Sequence, residues 1–201
     1  ITIQSTRHGP LLPVKMAELV GMDIDKRVAL SWTTLHDEDT TIDTGYTIMR
    51  AKSAAHLRAA LRRFVGPQQN IVYADRQGHI GYMAPAKIPV RKTPKDGWSS
   101  VGPGRLPTDG SKGDTDWQGF VPWEGLPQTS DPERGFVVTA NNQSVPDDHP
   151  YFIASDWGAP YRAARITEMI KAGDNYKLED LRLQQKDVTS HAAQSLIPAL
   201  L

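Results

Sequence analysis

Apolar and polar residues alternate in short runs along the chain, and the period of the alternation changes between them. Ile1-Thr2-Ile3 leads through a turn-like break, Thr6-Arg7-His8-Gly9-Pro10, to Leu11-Leu12. Val28-Ala29-Leu30-Ser31-Trp32-Thr33 is a second strand-like run, rich in residues that fit a pleated surface. Residues 36–43 are polar and acidic and are placed to open a helix that residues 44–50 continue. Ala54, Leu57, Ala60, Leu61, Phe64 and Val65 then recur at helical spacing. Ser53 is a good N-cap before them and Gly66-Pro67 a stop after them, which predicts a helix over about residues 54–65. Asn70 to Asp75 and His79 to Met83 flank Arg76-Gln77-Gly78 and read as a β-hairpin.

The periodicity lapses over residues 85–135, where Pro and Gly crowd together. Loop and short strand are expected there, pinned by burial of Trp98, Trp117, Phe120 and Trp123. Gly135 to Ala140 predicts a further strand running into Asn141-Asn142. Ala164, Ile166, Met169 and Ile170 make an apolar stripe on a helix over residues 161–172, which Gly173 stops. Residues 178–195 predict one more helical region, with Pro198 ending it.

Composition narrows the picture. A length of 201 residues is ample for a sizeable core, and 39% hydrophobic with 23% charged residues reads as a folded chain. Lys and Arg total 23, as do Asp and Glu, so the chain lacks the basic excess of a nucleic-acid binder. The charge is unevenly spread, +5 over residues 1–100 and −5 over residues 101–201. No apolar run approaches the roughly 18 residues of a membrane span. Cysteine is absent, which removes disulfides, thiolate catalysis and cysteine metal sites together. The first residue is Ile1, with neither an initiator methionine nor a signal-peptide pattern, so a processed chain or an excised fragment is expected.

Several chemistries fail on spacing. Gly110-Ser111-Lys112-Gly113 lacks the spaced glycines of a phosphate loop, and Gly102-Pro103-Gly104 is followed by Pro107 where a dinucleotide fingerprint needs its third glycine. There is no Gly-x-Ser-x-Gly elbow, and the six scattered histidines form no His-Glu-x-x-His zinc pattern. Asp37, Glu38, Asp39 and Asp43 do not match a calcium loop and read as helix-capping groups. Arg58, Arg62 and Arg63 read as a solvated helix face, and His8 as a structural histidine bonded to backbone. Asn141 and Asn142 end an apolar run. A turn-forming pair is the ordinary reading, but an Asn amide at a strand end can also donate to an oxyanion. Arg162, at the opening of a helix, is placed to orient such a group.

Eight short segments, in order along nearly the whole chain, resemble the penicillin acylase (penicillin amidase) family. They include Thr6-Arg7-His8-Gly9-Pro10, Ala29-Leu30-Ser31-Trp32-Thr33, Gln69 to Asp75 with Gly78 to Tyr82, and Asp116-Trp117-Gln118-Gly119-Phe120-Val121-Pro122. Thr139-Ala140-Asn141-Asn142, Pro146 to Phe152, Tyr161-Arg162-Ala163-Ala164-Arg165-Ile166 and Gln185-Lys186-Asp187-Val188 complete the set. Members are N-terminal-nucleophile hydrolases cut from a precursor into two chains, the larger of which begins with the serine nucleophile. The resemblance implies an α+β fold, part of an αββα sandwich with antiparallel strands plus the Pro/Gly-rich excursion over residues 85–135. It implies that residues 1–201 are one incomplete domain, an internal piece of the larger (β) chain. The nucleophile is absent from it, and the remainder of that chain and the smaller α chain are its partners.

The same resemblance places an oxyanion-hole amide on Asn141 and a supporting arginine on Arg162. Acyl-pocket wall positions fall on Gln69 and Gly45. There the phenylacetyl-specific enzymes carry large apolar groups, so an aliphatic acyl chain stays open. The substrate implied is a small-molecule amide, a β-lactam or related compound, in a periplasmic or secreted enzyme. Many members bind a structural calcium ion in the full-length protein, with ligands mostly outside this chain; the chain itself is expected to hold no cofactor or metal. The isolated chain is expected to be inactive and to self-associate through exposed edges and apolar faces, and no nucleic-acid or membrane partner is expected. The alternative is a non-catalytic binding module that presents at least two of Trp98, Trp117 and Trp123 on one exposed face.

Overall fold

The computed structural model describes residues 2–13, 27–94 and 102–201. Its first element is a tight hairpin in which Ser5–Thr6 (β1) pairs antiparallel with Gly9–Pro10 (β2) around Arg7 and His8. Gly9 has φ +122°, and a Cβ there would collide with the Leu30 carbonyl, so this close approach requires glycine. The run expected over residues 28–33 lies antiparallel to Leu11-Leu12, bridged at Leu11 and Ala29, and then tightens into a 3₁₀ turn, Thr33–Leu35.

Thr41–Ile48 (α1) follows, its first amide held by the Asp39 carboxylate at 2.8 Å. Thus one member of the acidic patch does cap a helix. Ser53 caps Ala54–Leu61 (α2) by accepting the His56 amide at 3.2 Å. The helix is shorter than expected, because the Arg63 and Phe64 amides close three-residue turns onto Ala60 and Leu61.

The hairpin expected before residue 84 forms, with Ile71–Ala74 (β3) against Ile80–Met83 (β4) in the register Ile71 to Met83. Within the 85–135 excursion, Pro89–Arg91 (β5) pairs with Trp117–Phe120 (β6), and Gln128–Ser130 (β7) joins the far edge of β4. The sheets are therefore small and antiparallel, in an α+β arrangement. The core lies where α2 covers the three-stranded sheet: Leu61, Tyr73 and Met83 are buried, with Leu57, Phe64 and Trp123 packed against them. Arg58 ties the same two elements by donating to Ser130 Oγ and Gln128 Oε1, at 3.0 and 2.8 Å. That differs from a wholly solvated basic face.

From residue 161 onward the chain is mostly helical: Tyr161–Lys171 (α3), Leu178–Gln185 (α4) and His191–Leu200 (α5). Among the described residues, no helix is long and apolar enough to cross a membrane.

Several expectations are corrected. Residues 135–140 form no strand; among the described residues no neighbouring strand pairs with them, and Arg134 Nε takes up the Phe136 carbonyl. The helical region expected over residues 178–195 holds two helices and runs on to Leu200, because Asp187 accepts the Thr189 amide and Ser190 caps α5 by accepting the Ala193 amide. Pro198 lies inside α5 rather than ending it. Phe120 is exposed, not buried. Trp117 and Trp123 are half-buried, stacked on His36 at 5.5 Å and beneath the Arg62 guanidinium at 4.9 Å, so neither joins an open aromatic platform. Trp98 lies outside the described residues. His8 bonds a side chain rather than backbone: its Nε2 is 2.8 Å from Asp116 Oδ1, and Arg7 holds the Gly110 carbonyl beside it. This pair clasps the first hairpin to the excursion.

Candidate functional site

The Asn141-Asn142 pair makes a turn in which the two residues do different work. Asn142 closes the turn, its Oδ1 accepting the Ala140 amide at 3.1 Å and its Nδ2 donating to the Gln143 carbonyl at 3.0 Å. Asn141 carries the reversal itself, with φ +64°, a left-handed conformation that Asn tolerates better than most residues. Gly158 seals the turn from the other side. Its amide donates to the Asn141 carbonyl at 2.8 Å, and a Cβ on Gly158 would come within 3.1 Å of that oxygen.

Arg162 fixes the Asn141 side chain. From the first turn of α3, one guanidinium nitrogen, Nη2, donates to the Ala140 carbonyl at 2.7 Å and to Asn141 Oδ1 at 2.8 Å. Guanidinium has no acceptor, so the amide atom facing it must be the oxygen. Asn141 Nδ2 is thereby turned away from Arg162, and it has no acceptor among the described residues. The result is an exposed amide donor whose orientation is set from behind by a permanent cation.

A shallow groove lies beside the pair, between the 134–142 segment and α3; Val138, Asn142, Ala163 and Thr167 line it, and Asn141 and Arg162 do not. One turn beyond Arg162, Arg165 grips Asp187 side-on, Nε to Oδ1 at 3.0 Å and Nη2 to Oδ2 at 2.6 Å. Glu168 joins Arg165 Nη1 at 2.9 Å and His191 Nε2 at 2.9 Å. The Arg165 bonds, helped by Thr189, hold the Asp187 carboxyl down to about 2, and the same carboxylates hold Arg165 more firmly protonated.

The structure brings Asn141 and Arg162 together. It does not bring Gln69 or Gly45 into hydrogen-bond contact with them. Gln69 is exposed ahead of β3, and Gly45 sits on α1 with open space within 4 Å of an added Cβ. Gly158 contacts Asn141 directly, and Arg165 with Asp187 forms the next link along α3; spacing marks none of the three, although Arg165 and Asp187 stand in segments that carry the resemblance. Among the described residues, no group of three or more His, Asp or Glu side chains converges as a metal site.

Comparison with known proteins gives a consistent result. A family model described as penicillin amidase matches residues 1–201. Penicillin acylase 2 proenzyme from a Pseudomonas species is 32% identical over 191 residues, covering 94% of this chain and 22% of that protein. Acyl-homoserine lactone acylase QuiP from Pseudomonas aeruginosa is 31% identical over 193 residues, again covering 94% of this chain and 22% of the relative. Among solved structures, a thermostable penicillin G acylase from Alcaligenes faecalis superposes with a TM-score of 0.70 at 22% identity, over 92% of this chain and 31% of that one. The chain thus spans about a fifth of the length of the curated relatives it matches.

Proposed function

The chain belongs to the penicillin amidase family, and from that premise we propose that it supplies the asparagine arm of the oxyanion hole in an N-acyl amide hydrolase. One observation carries the reading: Asn141 Oδ1 is held by Arg162 at 2.8 Å while Nδ2 is left to donate outward. In the reaction, a serine hydroxyl on a segment outside this chain attacks the substrate carbonyl carbon. The serine's own α-amino group takes the proton and passes it to the leaving nitrogen as the C–N bond breaks, leaving an acyl ester. Water then attacks the ester carbon and gives a proton through the α-amino group to the serine oxygen as the C–O bond to serine breaks, releasing the acid and restoring the hydroxyl. In both steps the carbonyl oxygen becomes an oxyanion, and a fixed donor that needs no reorientation lowers the barrier. Arg162 contributes by keeping the amide aimed and by placing positive charge behind it.

What the relatives are named for supports a substrate class. Penicillin and an acyl-homoserine lactone share one bond type, a secondary amide joining an acyl chain to a cyclic head group. We place hydrolysis of that amide here, in an αββα sandwich that this α+β chain helps to build, in a periplasmic or secreted enzyme. Gln69 and Gly45 are proposed wall positions of the acyl pocket; neither is the large apolar group of the phenylacetyl-specific enzymes, so an aliphatic acyl chain stays open.

The test uses the full-length gene product on a panel of phenylacetyl, glutaryl and long-chain acyl amides, wild type beside Asn141→Ala. The expected result is amide hydrolysis, with kcat lowered by about 10² to 10³ in the variant. An active wild type with an unaffected variant would remove Asn141 from the mechanism, and a protein inert on every amide would remove the hydrolase reading.

A further inference from the structure

The geometry points to Asp187 as a positioning residue for the candidate oxyanion donor, acting through Arg165 and helix α3. This inference rests on the assignment of Asn141 above and extends it to a residue that touches neither Asn141 nor Arg162.

Helix α3 carries Arg162, so the aim of the Asn141 amide depends on where α3 sits. Packing fixes it only in part: Ile166, Met169 and Ile170 are half-buried, and no residue of α3 is fully buried. Its N-cap position is Pro160, which makes no side-chain cap bond, and its first turn contains no acidic residue. Polar links add what this partial burial leaves open, the direction and axial position of α3. At its start these are the Arg162 bonds themselves. One turn later the link is Arg165 to Asp187, and at its end the Tyr176 hydroxyl donates to the Met169 and Ile170 carbonyls at 2.6 and 2.8 Å.

Of the ion pairs among the described residues, Arg165–Asp187 is the most sheltered, with side chains only 24% and 18% exposed. Its geometry is the side-on, two-bond form that fixes direction as well as distance. Asp187 is itself immobilised, because its two oxygens also accept the Thr189 amide and hydroxyl, each at 3.2 Å. The Asp187 end of the clamp is thus tied to its own turn as well as to Arg165. The three positions from Arg162 to Arg165 rise about 4.5 Å along the helix, so a shift or roll of α3 at Arg165 is transmitted almost undiminished to Arg162. An N–H···O bond of 2.8 Å does not survive a displacement of about 1 Å, and a misplacement of that size in an active site can cost about 10²-fold in rate.

The experiment is a double-mutant cycle in the full-length enzyme: wild type, Asp187→Asn, Asn141→Ala and the double variant, with kcat and KM measured for each and folding checked by thermal denaturation. Asp187→Asn is expected to lower kcat about 10-fold with KM changed less than about twofold. In the Asn141→Ala background the same substitution is expected to change kcat less than about twofold, since the donor that it misaims is gone. Asp187→Glu, which keeps the charge, is expected to recover part of the loss. Glu179→Gln on neighbouring α4, which breaks only an exposed pair with Arg182, is expected to leave kcat unchanged.

A folded Asp187→Asn with wild-type kcat would overturn the inference, as would a loss carried over in full to the Asn141→Ala background, which marks a merely structural role. If Asp187→Asn does not fold, Arg165→Lys takes its place in the cycle, because lysine cannot form the two-bond grip. An unaffected Asn141→Ala would instead overturn the oxyanion assignment on which the inference stands, so the two failures are distinguishable.

Discussion

At the scale of the residue, Asn141 is asked to do two things that rarely coincide. It must hold a left-handed backbone, φ +64°, and it must present an N–H donor at the end of a side chain anchored by Arg162. Asn141→Asp separates these demands. The carboxylate keeps the size and the left-handed tolerance of the amide, gives Arg162 a stronger partner and removes the donor. The expected outcome, measured by steady-state kinetics beside thermal denaturation, is a melting temperature equal to or above that of wild type with kcat reduced by about 10² or more. A variant that kept its rate would show that the donor is not used.

At the scale of the element, titration should reveal which ties hold the helices and sheets in place. His79 Nδ1 lies 2.9 Å from Asp131 Oδ2, joining the β3–β4 turn to the end of β7, and this bond raises the imidazole above its ordinary 6.5. A raised base stabilises fully below its unfolded value and loses that contribution as pH rises through the folded one. Asp187, lowered by Arg165 from 3.8 to about 2, behaves in the opposite sense: its contribution is present above 3.8 and is lost as pH falls toward 2. Thermal denaturation across pH should therefore show His79→Gln flattening a decline above pH 6.5 and Asp187→Asn flattening one below pH 4. Curves of unchanged shape would mean that neither tie contributes to folding.

The elements most legible in the sequence are those whose signals are local. Gly78 between two apolar runs announces the β3–β4 hairpin, and Ser53 with its periodic followers announces α2. Residues 135–140 mislead because a β-rich run becomes a strand only if another strand lies alongside, and that is a tertiary fact. The α4–α5 break was readable in Asp187, Thr189 and Ser190, a turn and an N-cap in succession, but helical periodicity masked it. Within the site, the two Asn residues were visible as a pair, and the resemblance named Asn141 and Arg162. The Arg162 bonds to that turn join groups 21 and 22 residues apart, which no spacing could have shown.

At the scale of the whole molecule, apolar surface is left open. On α1 Ile42 and Tyr46 are exposed, as is Met49 at its C-cap, and on α5 Leu196, Ile197 and Leu200 are, with Met49 at 83% and Leu200 at 80%. Patches of this kind seek a partner, and in a solution of the 201-residue chain alone the available partner is another copy. Sedimentation velocity is expected to show concentration-dependent oligomers, reduced when Leu196 and Leu200 are both replaced by Gln. A monodisperse monomer at high concentration would show that these faces do not drive association.

The left-handed turn at Asn141 also shapes which substitutions this position can survive. In a saturation library, a selection for folded protein alone should pass Gly, Asn and Asp, which accept that backbone cheaply, and should thin out the β-branched residues. A selection for hydrolysis should pass Asn alone, because Gly and ionised Asp donate nothing and Gln would carry its amide one methylene too far on a backbone that it enters at a cost. Overlaying the two enrichment profiles would read conformation and chemistry apart at a single codon.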